Sequence, residues 1–158
     1  MEILDLFDRR GEPLGRTIVR GENIPGGTFV KVVHAWIENK RGQFLIQQVS
    51  EQKGGTLATT GGCVSSGQTA EEAVIREIAE EIGLTVNKSE LKFIGVVEHP
   101  SRCHLIYVFH ILKDVSVDRF VLQEEEVASV MWLGREEIKK LMNEGAFRPS
   151  SVKTFKLF

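Results

Sequence analysis

The chain has 158 residues and a net charge of −2, from 20 basic and 22 acidic side chains. That length fits one domain with its own core, and that balance excludes an electrostatic case for a nucleic-acid polymer as partner, while a small anion can still be held by local charge. Apolar residues make up 42% and charged residues 27%, ordinary for a globular protein, and no apolar run approaches the roughly 18 residues of a membrane span. Met1–Asp5 is acidic and reads as strand rather than signal peptide, so a cytoplasmic location with no membrane partner is expected. Cys63 and Cys103 make no disulfide framework and read as two reduced thiols.

In chain order, Ile3–Asp8, the turn Arg10-Gly11-Glu12-Pro13 and Leu14–Arg20 predict a hairpin. Ile24-Pro25-Gly26-Gly27 breaks the chain. Thr28–Glu38, rich in Val and aromatics, reads as a strand buried on both faces. Asn39–Gly42 turns it into a return strand, Gln43–Ser50, and Gly54-Gly55 opens a loop leading to Leu57–Thr60. Thr69–Ile82 predicts a helix: Thr69 and Glu72 form a capping-box pattern, Val74, Ile78 and Ile82 make a buried stripe, and Gly83 supplies the stop. Strand-like segments follow at Leu91–Val97, His104–Leu112 and Ser129–Leu133, and a second helix at Arg135–Glu144. The tail Pro149–Phe158 is ambiguous. Strands mixed with two helices imply α/β layers around a mixed sheet.

Glu77, Glu80 and Glu81 stand at i, i+3 and i+4, within an arc of roughly 100° on the helix. A bare E-x-x-E-E reads as a solvated acidic face. A hard divalent cation would reverse the repulsion among the three. Their setting is Gly62-x₅-Gln68-x₇-Arg76-Glu77-Ile78-x-Glu80-Glu81-x-Gly83-Leu84. This resembles the box of the Nudix hydrolases, G-x₅-E-x₇-R-E-U-x-E-E-x-G-U with U aliphatic, and departs from it only at Gln68. Val33-His34-Ala35-Trp36-Ile37, Gly42–Gln47, Ala58–Gly62 and Glu124–Val127 before Trp132-Leu133 are similar to the branch named for isopentenyl diphosphate isomerase.

The resemblance implies one Nudix domain over residues 1–158, an α/β/α sandwich around a mixed β-sheet, with residues 1–27 as an N-terminal β-hairpin extension and 62–84 as the box. It implies a Mg²⁺- or Mn²⁺-dependent hydrolase that cleaves a diphosphate linkage in a nucleoside diphosphate-linked or similar small molecule. Glu77, Glu80 and Glu81 would be the metal ligands, joined by a backbone carbonyl of the Gly61-Gly62 loop, and Arg76 would orient them. Glu124, Glu125 and Glu126 are candidates for the general base, against their reading as a solvated turn. Specificity is expected from the N-terminal hairpin, the loop Ser50–Gly55 and the strand around Arg102–Tyr107. The hairpin could also support a homodimer.

Two alternatives stand beside this reading. One is a catalytically silent nucleotide-binding module, suggested by Gln68 and by Leu57 and Val49 where relatives usually carry Trp and Arg. The other is the isomerase itself. It is disfavoured because Gly61 and His104 fall where the isomerase needs Cys and Glu.

Overall fold

The computed structural model describes residues 1–158. Nine strands and three helices follow one another. β1 (Ile3–Phe7) and β2 (Pro13–Val19) form a separate antiparallel pair. β3 (Val30–Glu38), β4 (Phe44–Val49), β5 (Leu57–Ala58), β6 (Thr60–Cys63), β7 (Lys92–His99), β8 (His104–Leu112) and β9 (Val127–Leu133) form one mixed sheet. The helices are α1 (Ala70–Ile82), α2 (Arg135–Asn143) and α3 (Pro149–Phe155).

β3 organises the sheet. It runs parallel to β8 from Val30↔His104 to Glu38↔Leu112. It meets β4 at the single pair Glu38↔Phe44, then diverges to pair with β6 through Val32↔Cys63 and Ala35↔Thr60. β4 turns instead to β9 and β5. A cleft lies over the N-terminal half of β3, where Val32 and His34 line it between β6 and β8.

Alternation along β3 divides the core, as expected of a strand buried on both faces. Val33, Ala35 and Ile37 pack with Val74, Ile78 and Ile82 of α1. Val30, Val32 and Trp36 pack with Ile138 of α2 and Phe155 of α3, and Leu4 and Leu6 of β1 join them. The result is an α/β/α sandwich. No helix is long and apolar enough to cross a membrane.

α1 begins as the sequence indicates. Thr69 Oγ1 accepts the Glu72 N–H at 3.1 Å, and Glu72 Oε1 accepts the Thr69 N–H at 3.0 Å. Gly83 ends it at φ 68°, a left-handed conformation that glycine adopts without steric cost. Two readings need correction. The segment Leu57–Thr60 is split: β5 stops at Ala58, and Thr60–Cys63 is a strand of its own. Gly61 and Gly62 therefore sit in a ladder with His34 and Val33 rather than in a loop. The ambiguous tail is helical, because Pro149 opens α3 at a first-turn position where its missing N–H costs nothing.

α3 is pinned to the sheet through Thr154. Its hydroxyl oxygen accepts the Trp36 Nε1–H at 3.0 Å and pairs with His34 Nδ1 at 2.9 Å, all buried. Burial, then the charges of His104, Arg148 and His99, lowers His34 to about 3. The folded protein thus holds His34 neutral, while an unfolded chain protonates it near 6.5. The unfolded state takes up the extra proton as pH falls below that value, so stability conferred at neutral pH is lost between pH 6.5 and 3. His34→Gln should reduce the proton uptake on unfolding at pH 5 by about one, read from the slope of unfolding free energy against pH. An unchanged slope would contradict this account.

Candidate active site

Glu77 packs directly against the backbone of Gly62; a Cβ there would collide with its carboxyl group. Glycine at this position is a requirement of close approach between α1 and β6. Gly61 is confined likewise, with the Val33 carbonyl oxygen where a side chain would begin. On the same helix face, Glu81 Oε1 accepts the Gly61 N–H at 3.3 Å and the Gln47 side-chain amide at 3.3 Å. Glu80 turns outward to solvent, where its carboxylate lies 3.3 Å from Arg76 Nη1.

Arg76 ties these parts together. Nη1 donates to Glu77 at 2.9 Å, and Nη2 donates to the Cys63 carbonyl at 3.1 Å and to Gln68 Oε1 at 3.1 Å. Gln68 Oε1 also accepts the Ser65 N–H at 3.2 Å. Gln68 thus folds back from the start of α1 onto Arg76, doing with an amide oxygen what a carboxylate would do with charge.

Burial lifts Glu77 to about 7, against the opposing pull of Arg76. Burial lifts Glu81 to about 8, with the Glu77 charge adding to the push. Two desolvated, mutually repelling carboxylates favour either a retained proton or a cation. Carboxylate and backbone oxygens are also the donors that Mg²⁺ and Mn²⁺ prefer, so the residues present fit a divalent ion. The three glutamates are not drawn into one converged three-ligand group, since Glu80 faces away.

The cleft beside these groups has a volume of about 620 Å³ and spans β3, with Gly61 and Gly62 of β6 on one side and His104 and Ile106 of β8 on the other. Arg20, Lys53, Arg102 and Arg148 reach it, against the carboxylates of Glu81 and Glu126. An excess of cations suits an anionic ligand. Burial pushes the Cys63 thiol up, which removes the reactive thiolate that cysteine chemistry needs.

The structure separates the acidic triplet Glu124–Glu126. Glu124 and Glu125 are exposed and do not line the cleft. Glu126 does line it, with its carboxylate 3.4 Å from Lys53 Nζ. The chain folds this way because the Ser50 hydroxyl donates to the Glu125 carbonyl at 2.8 Å and the Ser50 N–H donates to the Glu126 carbonyl at 3.0 Å, fixing the entry to β9. Sequence reasoning missed Gln47, Arg20 and Arg148. Only Gln47 had left a signal, an amide within the apolar strand Phe44–Val49.

The NUDIX domain family model matches residues 28–155. The chain belongs to the Nudix hydrolase family. Membership carries the enzyme class, a diphosphate hydrolase. An uncharacterized Nudix hydrolase of Listeria monocytogenes is 33% identical over 156 residues, spanning 94% of this chain and 89% of that one. Among solved structures, the Deinococcus radiodurans protein DR0079 superposes with a TM-score of 0.76 at 27% identity, covering 92% of this chain and 91% of its own. A Francisella tularensis bifunctional NMN adenylyltransferase/ADP ribose pyrophosphatase, complexed with AMP and a manganese ion, shares the fold at a TM-score of 0.65 and 16% identity, over 82% of this chain and 40% of its own.

Removing the Gln68 oxygen should unsettle Arg76. Gln68→Leu leaves the Ser65 N–H and one Arg76 donor without that acceptor, at a cost of about 1–3 kcal/mol if they stay dry. Gln68→Glu preserves both bonds. The expected order of melting temperature and turnover is Gln68→Glu at or above the native chain, and Gln68→Leu well below it. Equal values for all three would show that the bridge is idle.

Proposed function

We propose that this Nudix hydrolase cleaves a diphosphate linkage in a nucleoside diphosphate-linked or similar small molecule, with Mg²⁺ or Mn²⁺ held by Glu77, Glu81 and a backbone carbonyl of Gly61 or Gly62, and by Glu80 once its exposed side chain turns inward from Arg76. The observation that carries this reading is the pair Glu77 and Glu81, both desolvated and raised in pKa, with Glu81 lining a cleft that has more cations than carboxylates and Glu77 packed against Gly62 of its wall. The AMP and manganese ion of the Francisella relative agree in chemistry with such a cleft.

When bound, the divalent ion supplies charge neutralisation, polarisation of a phosphoryl oxygen and a lowered pKa for water. The chain's own residues supply the rest. Arg76 holds Glu77 against the Gly62 backbone, so the carboxylate needs little reorganisation. Gln47 and the Gly61 N–H fix Glu81. Arg148 and Lys53 attract and orient the anionic substrate. Glu126 is the acidic residue of its triplet that lines the cleft, and it takes the role of general base toward the attacking water.

Glu80→Gln and Glu81→Gln should each lower turnover by at least about 10²-fold with the fold intact, on the scale of lost transition-state charge stabilisation. Two active variants, assayed against a panel of diphosphate substrates with and without Mg²⁺, would sink the metal assignment. A wild-type chain that binds nucleotides and turns none over would restore the silent-module alternative.

The base assignment is separable. Glu126→Gln should reduce kcat by about 10²-fold or more, the usual contribution of general acid–base catalysis. Glu124→Gln and Glu125→Gln should stay within about twofold, as expected of exposed groups outside the cleft. Were Glu124→Gln or Glu125→Gln the impaired variant, the base would have to reach the cleft from a different arrangement of that turn.

A further inference from the structure

We propose that Arg20, Arg102 and His104 form an anion subsite, separate from the α1 carboxylates, that takes a further phosphate of the substrate beyond the bond being cleaved. The proposal deepens the reading of the cleft as a diphosphate site and rests on it.

Arg20 comes from the N-terminal hairpin, outside the residues that match the family model, yet it lines the cleft. The hairpin is fastened so that it does so. Arg20 Nη1 donates to Glu2 Oε1 at 3.0 Å, and its backbone N–H donates to the Glu2 carbonyl at 2.9 Å. The other Glu2 carboxylate oxygen accepts the Ser65 hydroxyl and lies 3.8 Å from Arg76 Nη2. Asp5 and the Ile3 carbonyl accept from Ser66 and Gly67. The hairpin is thus tied to the loop that leads into α1, and the remaining guanidinium nitrogens of Arg20 have no protein acceptor.

The other part of the subsite is the tight connection between β7 and β8. Its turn Pro100–Arg102 ends at Cys103, a non-glycine residue at φ 55°. Such a conformation is uncommon outside glycine and clusters where a turn must present particular groups. Here it presents exposed Arg102 beside the pair His99↔His104. His99 is buried, and its Nδ1 has no hydrogen-bond partner. A buried polar atom without a partner is costly and marks a place where a ligand or water completes the structure.

His104 lies between these arms. Its pKa falls to about 4, first through burial and then through Arg102, His99 and Arg20. It therefore stays neutral near pH 7 and contributes a hydrogen bond, while the two arginines contribute charge. Guanidinium groups suit the planar, bidentate recognition of phosphate oxygens. No Phe, Tyr or Trp lines the cleft, so the surroundings favour a polar, multiply charged group over a stacked aromatic one.

The test is calorimetric titration of the full chain with inorganic pyrophosphate in EDTA, without divalent ions. The wild-type chain should bind. Arg20→Ala and Arg102→Ala should each weaken binding by about tenfold, the scale of one charge-assisted contact, and Arg20→Lys should fall between. Arg41→Ala, in the turn between β3 and β4, should bind as the wild type does. Arg102 is exposed, so its variant remains informative if Arg20→Ala disturbs the hairpin. Wild-type affinity in the Arg20→Ala/Arg102→Ala double variant would overturn the subsite. So would turnover of diphosphates by a wild-type chain that binds no pyrophosphate without metal. Metal-free binding that depends on both arginines, in a chain that hydrolyses no diphosphate, would uphold the subsite and remove the proposed reaction.

Discussion

The rest of the site depends on the close approach of α1 to β6. Glu77 occupies the space that a side chain at position 62 would need, and the Val33 carbonyl occupies the space at position 61. Only glycine admits both contacts, and it does so at the entropic cost that glycine carries in a strand. The return is a carboxylate buried against backbone and gripped by Arg76. That grip also holds the Cys63 carbonyl and Gln68, so one side chain joins the strand, the loop and the helix.

This arrangement stores electrostatic cost in the metal-free protein. Glu77 and Glu81 are both pushed toward their protonated forms by burial, and Arg76 offsets only part of the repulsion. A carboxylate pair buried in this way is poorly suited to being merely a solvated face. The same Arg76 reaches toward Glu2 of the hairpin, and Glu2 in turn holds Arg20. The chain of charges Arg20–Glu2–Arg76–Glu77 therefore couples residues 1–27 to the box, giving the hairpin a physical link to the chemistry.

The core sets where these groups converge. β3 is buried on both faces, so its pairing register with β6 and β8 is strongly specified: a one-residue slip would exchange Val33, Ala35 and Ile37 with Val32, His34 and Trp36. That register brings His34 beside Gly61 and Val30 beside His104. It also sets His34 and Trp36 under Thr154, which locks α3 and with it Arg148 at the cleft.

The sequence by itself determined the parts whose information is contiguous. The cap at Thr69, the stripe Val74–Ile78–Ile82, the stop at Gly83 and the spacing of the three glutamates lie within one helix, where period and propensity suffice. The two-faced burial of β3 was legible for the same reason. What only the tertiary structure decided are relations between distant segments. Gly61 and Gly62 read as a loop because two glycines usually mark one, yet β3 captures them as a strand. Glu124, Glu125 and Glu126 look equivalent in sequence, and only the bonds from Ser50 select Glu126 for the cleft. Arg20, His99 and Arg148 carry no local signature of a site, and Gln47 shows only an amide within an apolar strand. They meet because sheet pairing and helix packing bring them together, and such long-range contacts leave no spacing to read along the chain.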